Sequence, residues 1–567
     1  MKKRTIKTIL AALTAAAMVC SKEKILPMLR ALTMVCSMAG CSGKDAGTAE
    51  SSASGSSAAA ENTGAAAENG KDSVIVVMGP SSEPEAGFDP AYGWGAGEHV
   101  HEPLIQSTLT VTKADMTIGY DLATDMNVSD DGMTWTVTIR DDVKFTDGEK
   151  LTAEDVAFTY NTLRDNSSVN DFTMLKEARA LDDTTVEFDM NRPYSIWPYT
   201  MAITGIVPEH AYGPDYGTNP IGSGRYIMKQ WDKGQQVIFE ANPDYYGDEV
   251  QMKKVIVLFM EEDAALAAVK AGQVDIAYTS AVYSDEQVDG YQLLVCKSVD
   301  SRGISLPSIP AGNEVVDGDT VYAAGNDVTC DVALRQAMNY ALDRQTMIDH
   351  VLNGYGEVAY SVSDNMPWSS ESMIIPYDVD KAEQILADGG WSDTDGDGIV
   401  EKDGQKAEFT VYYSASDSVR QALTAEFSNQ MKAVGINVLY EGLGSWDELY
   451  AKMYSDPITW GWGSNSPVED YQLYYTGGSC NFTGYSNEKT DELLDAALAA
   501  TDMNESYRLW QQAQEDVGPD AEALWVWFAN VDHLYFARDG LAVAEQKLHP
   551  HGHGWSLVNN VDQWTWE

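Results

Sequence analysis

Residues 255–278 read VIVLFMEEDAALAAVKAGQVDIAY, and this stretch decides the fold class. Val255-Ile256-Val257-Leu258-Phe259 is an apolar run of strand length, rich in β-branched side chains. Residues 263–271 then carry Ala, Leu and Val at helical spacing, and Gly272 stops them. Residues 274–278 return to a strand. A strand, a short helix and a second strand in close succession are the building unit of an α/β sheet.

The alternation extends both ways. Upstream, residues 72–79 open with a strand and residues 135–139, WTVTI, alternate with period two. Residues 145–149 form a turn. Thr152 and Asp155 then have capping-box spacing ahead of a helix carrying Val156, Phe158 and Tyr160. Residues 185–190 alternate again. Downstream, helices are expected over 330–341, 380–387 (stopped by Gly389-Gly390), 418–434, 491–500 and 505–516, with strands over 409–413 and 436–440. This order argues for an α/β architecture with mixed sheets, and no repeat of 20–50 residues is visible.

The first 40 residues are of another kind. Lys2, Lys3, Arg4 and Lys7 precede apolar stretches 8–19 and 25–39, which end at Met38-Ala39-Gly40-Cys41. Basic, apolar and small residues in that order form an export signal. A cysteine directly after the small residues resembles a bacterial lipoprotein signal, which implies lipidation of Cys41. Ser21-Lys22-Glu23-Lys24 splits the apolar run, so neither piece has the ~18–20 uninterrupted apolar residues of a membrane span. Residues 41–72 are nearly all small or polar and read as a flexible tether.

Composition bounds the partners. Of 37 Lys/Arg and 87 Asp/Glu, seven and one fall in residues 1–40, so the remainder holds 30 basic and 86 acidic side chains. That field repels phosphate backbones and anionic lipid, which excludes nucleic acid and leaves the lipid anchor as the membrane contact. Cys296, Cys330 and Cys480 have no zinc spacing, and their disulfide pairing stays open. No G-x-S-x-G, H-E-x-x-H or P-loop occurs, so the reading is of a protein that is not an enzyme.

Several blocks look familiar. Trp135 to Phe145 followed by Asp147-Gly148, Asn219-Pro220-Ile221-Gly222-Ser223-Gly224-Arg225-Tyr226, Asn242-Pro243-Asp244-Tyr245-Tyr246-Gly247 and Ala271-Gly272-Gln273-Val274-Asp275 occur in order. Leu334-Arg335-Gln336-Ala337-Met338-Asn339-Tyr340-Ala341-Leu342-Asp343-Arg344 is the most specific. From about residue 73 to the end, the chain resembles extracellular solute-binding proteins of family 5, the peptide/nickel-binding components of ATP-binding-cassette importers. The resemblance implies a two-lobed periplasmic-binding-protein-like (Venus flytrap) α/β fold with mixed sheets and a ligand cleft between lobes. Its expected layout is signal 1–40, tether 41–72, lobe I 73–300, lobe II 301–524 and a return to lobe I over 525–567, with crossings near 300–307 and 521–526. It also implies a monomer outside the cytoplasmic membrane that passes its ligand to a permease and its ATPase subunits.

Thr459-Trp460-Gly461-Trp462-Gly463-Ser464-Asn465-Ser466-Pro467 is the first cleft candidate. In peptide-binding members of the family, a tryptophan is followed by an aspartate that pairs with the peptide ammonium. Matching Trp462 to that tryptophan puts Asn465 at the acid's place, and an amide brings no charge. Tyr92 and Trp94, ahead of Glu102-Pro103-Leu104, are the second candidates.

Histidine clusters suggest metal. His99 and His101, then His549, His551 and His553, supply imidazoles suited to nickel, copper or zinc. Asp393, Asp395 and Asp397 followed by Gly398 match the first half of a calcium loop, but its twelfth position is Gly404. The reading is therefore an anchored receptor for oligopeptide or a related small solute, requiring no cofactor, with a nickel or other metal chelate as the alternative. An exported sugar-binding protein or hydrolase is more distant.

Overall fold

The computed structural model describes residues 70–84, 86–92, 101–167, 171–318, 320–552 and 554–567. The signal, most of the tether, Cys41, Trp94, His99 and His553 lie outside them.

A seven-stranded sheet has the order Tyr291–Cys296, His533–Arg538, Ile276–Thr279, Ser73–Met78, Lys254–Phe259, Gln236–Ala241, Tyr226–Asp232. Ser73–Met78 is parallel to both of its neighbours and the other pairings are antiparallel. The helix Glu262–Lys270 closes one face, packing Ala265, Ala268 and Val269 near Val77, Ala277 and Phe536. Its small residues let the helix sit close to the sheet, and each buried Val contributes about 1.5–3 kcal/mol.

A second sheet has the order Gly356–Val358, Trp525–Val531, Ser301–Ser305, Ile458–Trp462, Glu408–Ser414, Asn437–Leu443. A third holds Ala123–Val128, Thr134–Ile139, Thr185–Met190 and Leu175–Asp182. The helix Ala153–Asn166 backs it and opens with the expected capping box, the Thr152 N–H donating to Asp155 Oδ2 at 2.9 Å.

The chain leaves the first sheet after Cys296 and enters the second at Ser301. It leaves the second after Val531 and re-enters the first at His533. The return was expected at 525, but Trp525–Val531 is bonded to Ser301–Ser305 in the second sheet. An unbroken apolar strand shows no mark at its start to distinguish one sheet from the other.

The block 334–344 explains how that strand is held. It forms the helix Val332–Ala341, capped by the Asp331 side chain, and the start of Arg344–Val351. Arg335 Nε donates to Glu522 O at 2.8 Å, Asn339 Nδ2 to Trp525 O at 3.0 Å and Arg344 Nε to Trp527 O at 2.8 Å. All three side chains are buried and grip carbonyls of one strand and its approach.

The segment after Thr185–Met190 of the third sheet also meets connections between strands of the second sheet. Ser195 N donates to Leu498 O at 2.8 Å, Ser195 Oγ to Ala497 O at 2.8 Å, and the Tyr199 ring meets Trp368 edge-on at 5.5 Å. No helix among the described residues is long and apolar enough to cross a membrane.

Candidate functional site

The second sheet's register assembles an aromatic wall. Ser301 lies opposite Trp462, Gly303 opposite Trp460 and Trp527, and Ser305 opposite Trp525. Alternation puts these residues on one face. Gly303 is required there, because a Cβ would lie 2.6 Å from Trp527 Cε3. Trp525 and Trp527 stack at 4.7 Å, Trp462 meets Trp525 edge-on at 6.5 Å, and Trp460 packs on Phe482 at 4.9 Å.

The wall carries unmet hydrogen-bonding capacity. Trp460 Nε1 donates to Ser305 Oγ at 3.0 Å. The indole N–H groups of Trp462 and Trp525 are buried without a partner, and so is Asn465 Oδ1. Buried polar atoms are almost always satisfied, so a set of donors and an acceptor left open together marks a place for a ligand or water. Trp460 and Trp462 stand on the strand Ile458–Trp462, and Asn465 lies in the loop three residues beyond it. Tyr92 is 45% exposed at the end of its described segment.

Beyond Trp462 the chain turns sharply. Gly463 has φ +136°, and a Cβ there would lie 1.9 Å from Val299 O. The following helix Val468–Tyr474 carries Glu469 and Asp470. Glu469 Oε1 accepts the Gly463 N–H at 3.4 Å. Asp470 Oδ2 accepts from Ser363 Oγ at 2.8 Å and Gln514 Nε2 at 3.1 Å, whereas its Oδ1 is buried without a partner. Asp364 accepts from the N–H groups of Tyr360 and Ser361 at 2.8 and 3.2 Å. Burial pushes the carboxyl pKa of Glu469 up to about 8, of Asp470 to about 7 and of Asp364 to about 6.

The histidine-rich tail runs beside the crossings between sheets. His549 N donates to Lys297 O at 3.0 Å and Val299 N to His549 O at 2.9 Å. The His551 ring donates from Nδ1 to Asp300, and His533 Nε2 meets the same carboxylate at 3.2 Å. Burial opposes the charge on Asp300, yet Arg302 and His551 hold this carboxyl well below the usual range. Burial, then the charges of His533, Lys547 and His101, lowers the pKa of His549 well below that of a free imidazole.

Among the described residues, one set of three or more His, Cys, Asp or Glu groups has ligand atoms within 4.8 Å of one another: Asp393, Asp395 and Glu401. His101, His549 and His551 form no such set. Asp393 and Asp395 of the expected calcium loop belong to the set with Glu401, whereas Asp397 pairs with Lys406, which also reaches Asp395 at 3.1 Å. Cys296, Cys330 and Cys480 form no disulfide. An open groove of about 500 Å³ on the third sheet, lined by Asp121, Arg140 and Asp142 among others, includes none of the expected site residues.

Sequence reasoning missed Trp525, Trp527, Glu469, Asp470 and His533. The spacing of Trp525-Val526-Trp527 was a usable signal, because alternate aromatics on a strand share a face.

Comparison with known proteins places this arrangement. The chain is 32% identical over 489 residues to protein XP55 of Streptomyces lividans, covering 82% of this chain and 85% of that protein. It is 26% identical over 519 residues to the oligopeptide-binding protein AppA of Bacillus subtilis (strain 168), covering 86% and 91%. The crystal structure of NikZ from Campylobacter jejuni in complex with Ni(L-His) superposes with a TM-score of 0.68 at 25% identity, covering 88% of this chain and all of that one. Residues 117–484 match the family described as bacterial extracellular solute-binding proteins, family 5 Middle. With its paired sheets, its clamped aromatic strand and these relatives, the chain belongs to bacterial extracellular solute-binding protein family 5.

Proposed function

We propose that this protein is the receptor of an ATP-binding-cassette importer, capturing an oligopeptide or a related small solute and passing it to the permease. The observation that carries the reading is the pair of unmet indole N–H groups on the tryptophan wall, those of Trp462 and Trp525, with Asn465 Oδ1 unmet in the loop that follows. A peptide offers carbonyls and N–H groups to meet such atoms and apolar surface to lie on the rings. AppA, covered along most of its length, is an oligopeptide-binding protein.

In this reading residues 73–300 and the tail from His533 form lobe I, residues 301–531 form lobe II, and ligand-dependent contacts favour closure. The reading requires no bond-breaking chemistry and no resident cofactor. Cys41 would carry lipid and residues 42–72 would let a monomeric body reach the permease from the outer side of the membrane. Tyr92 and Trp94 would approach the ligand from lobe I.

A second reading, a nickel-chelate receptor, has one observation in its favour: NikZ holds Ni(L-His) in a fold of the same kind. His99, His101, His549, His551 and His553 would then be its candidate contacts.

Native mass spectrometry of the untagged protein lacking residues 1–41 separates the two. A co-purifying ladder of peptides supports the first reading. A single nickel-containing adduct overturns it.

A further inference from the structure

We propose that residues 192–199 form a clasp that holds the two lobes together by protein contacts alone, so that its release gates the entry of solute. The inference rests on the lobe assignment above and goes beyond the receptor reading.

The third sheet is fastened to the first-sheet side of the molecule. Thr146 N donates to Gly222 O at 2.9 Å, just ahead of Tyr226–Asp232 in the first sheet. Tyr246, in the loop between Gln236–Ala241 and Lys254–Phe259, donates its hydroxyl to Asp121 Oδ1 at 2.6 Å, and the Arg140 guanidinium lies 4.4 Å over its ring. The third sheet thus goes with lobe I, and what it touches within residues 301–531 is a contact between lobes.

That contact is made by the segment after Thr185–Met190. The Ser195 N–H donates to Leu498 O and its hydroxyl to Ala497 O, both at 2.8 Å, at the end of the helix Glu488–Ala499. These are among the last four carbonyls of the helix, which no intrahelical N–H reaches. Ser506 Oγ, on the helix Met503–Val517, donates to the same Ala497 carbonyl at 2.9 Å and lies 3.0 Å from Ser195 Oγ. A residue of one lobe therefore completes a helix end of the other, and Ser195, Ala497, Leu498 and Ser506 are all buried. Rings seal the joint. Tyr199 meets Trp368 at 5.5 Å, Trp368 meets Tyr507 at 5.9 Å, and the two tyrosine hydroxyls share a hydrogen bond. Nearer the surface, the Arg192 guanidinium lies 5.5 Å over the Tyr471 ring.

None of these contacts uses Trp462, Trp525 or Asn465, so they favour this arrangement with or without solute. Parting the lobes would expose Tyr199, Trp368 and Leu498 to water and strip two carbonyls of their buried donors. A solute draws lobes together only through contacts that differ between the open and closed forms. Here the protein supplies much of that difference itself, and the slow event becomes the release of the clasp.

The test uses the full mature protein, refolded from urea to release any solute carried through purification. Amide hydrogen exchange across residues 192–199 is followed without solute, with an equimolar mixture of random pentapeptides and with Ni(L-His). We expect the Ser195 amide to exchange about a hundredfold slower than an open chain without solute, and within about threefold of that rate with either probe. Ser195→Ala combined with Tyr199→Phe removes both hydroxyls and keeps the ring. It should speed exchange about tenfold, and raise by a similar factor the limiting rate of pentapeptide association read from tryptophan fluorescence. Rapid exchange without solute overturns the clasp and leaves the receptor reading intact, and slowing by either probe would then make closure solute-driven. A folded double variant that keeps both rates of the unaltered protein also overturns it. If that variant fails to fold, exchange in the unaltered protein decides alone. If neither probe binds, the receptor reading fails, and exchange without solute still decides the clasp.

Discussion

The backbone N–H of His551 donates to the carbonyl of Gly463 at 2.7 Å, tying the C-terminal tail to the loop that follows the tryptophan wall. The histidine-rich tail thus has a structural task, whether or not metal is present.

Replacing Gly463 by Ala tests how tightly that loop is fixed. The substitution meets Val299 O and adopts a disfavoured φ, at a cost of about 1–3 kcal/mol. Thermal unfolding should shift downward, and the position of Trp462 should change enough to alter the fluorescence response to ligand. An unchanged melting curve would show that the turn is less constrained than this close approach implies.

His551→Leu should destabilise the protein by about 1–3 kcal/mol, because Asp300 loses a buried donor. Chelator should leave the melting temperature of the unaltered protein where it is. A drop on adding chelator, erased by His551→Leu, would instead make the tail a metal site.

The clamp from the block 334–344 gives a third expectation. Asn339→Ala frees the Trp525 carbonyl and Arg344→Met frees that of Trp527, each costing about 2–4 kcal/mol in urea unfolding. Because both bonds hold the strand beneath the wall, ligand affinity should fall with stability. Loss of one without the other would uncouple the motif from the cleft.

Glu469 and Asp470 set a pH dependence. Their folded pKa values lie at about 8 and 7, above the ordinary 4.5 and 3.8. The folded state therefore keeps protons that the unfolded chain releases, so this contribution is fully present below about pH 4 and is lost as pH rises through 7 to 8. Ligand-free protein should become less stable across that window, and the double change Glu469→Gln, Asp470→Asn should flatten the curve. Stability rising from pH 5 to 8 in both proteins would contradict the burial of neutral acids here.

Much of the scaffold was legible because it rests on local signals. The alternation in 134–139 and 185–190, the Thr152–Asp155 cap and the glycine stops all act within a few residues. The centre of the second sheet was not. Ser301–Ser305 is buried throughout yet reads Ser-Arg-Gly-Ile-Ser, and Trp525–Val531 is apolar at nearly every position. Neither alternates, since both faces of a central strand are covered. The same limit applies to the site. Trp460, Trp462 and Asn465 stood out as one short run, whereas the burial of Glu469 and Asp470 shows only in three dimensions. Histidine spacing suggested a metal, but an imidazole's neighbours decide its role, and here Asp300 is 251 residues from His551 in sequence.

The placement of His533–Arg538 also constrains when this chain can fold. That strand separates Ile276–Thr279 from Tyr291–Cys296 in the first sheet, and the latter has it as its sheet neighbour. A growing chain emerges from its N-terminus, so the sheet begun by Ser73–Met78 stays incomplete until nearly the whole polypeptide has been made. Any fragment that stops short of residue 533 leaves Tyr291–Cys296 without its sheet neighbour and the edge of Ile276–Thr279 uncovered.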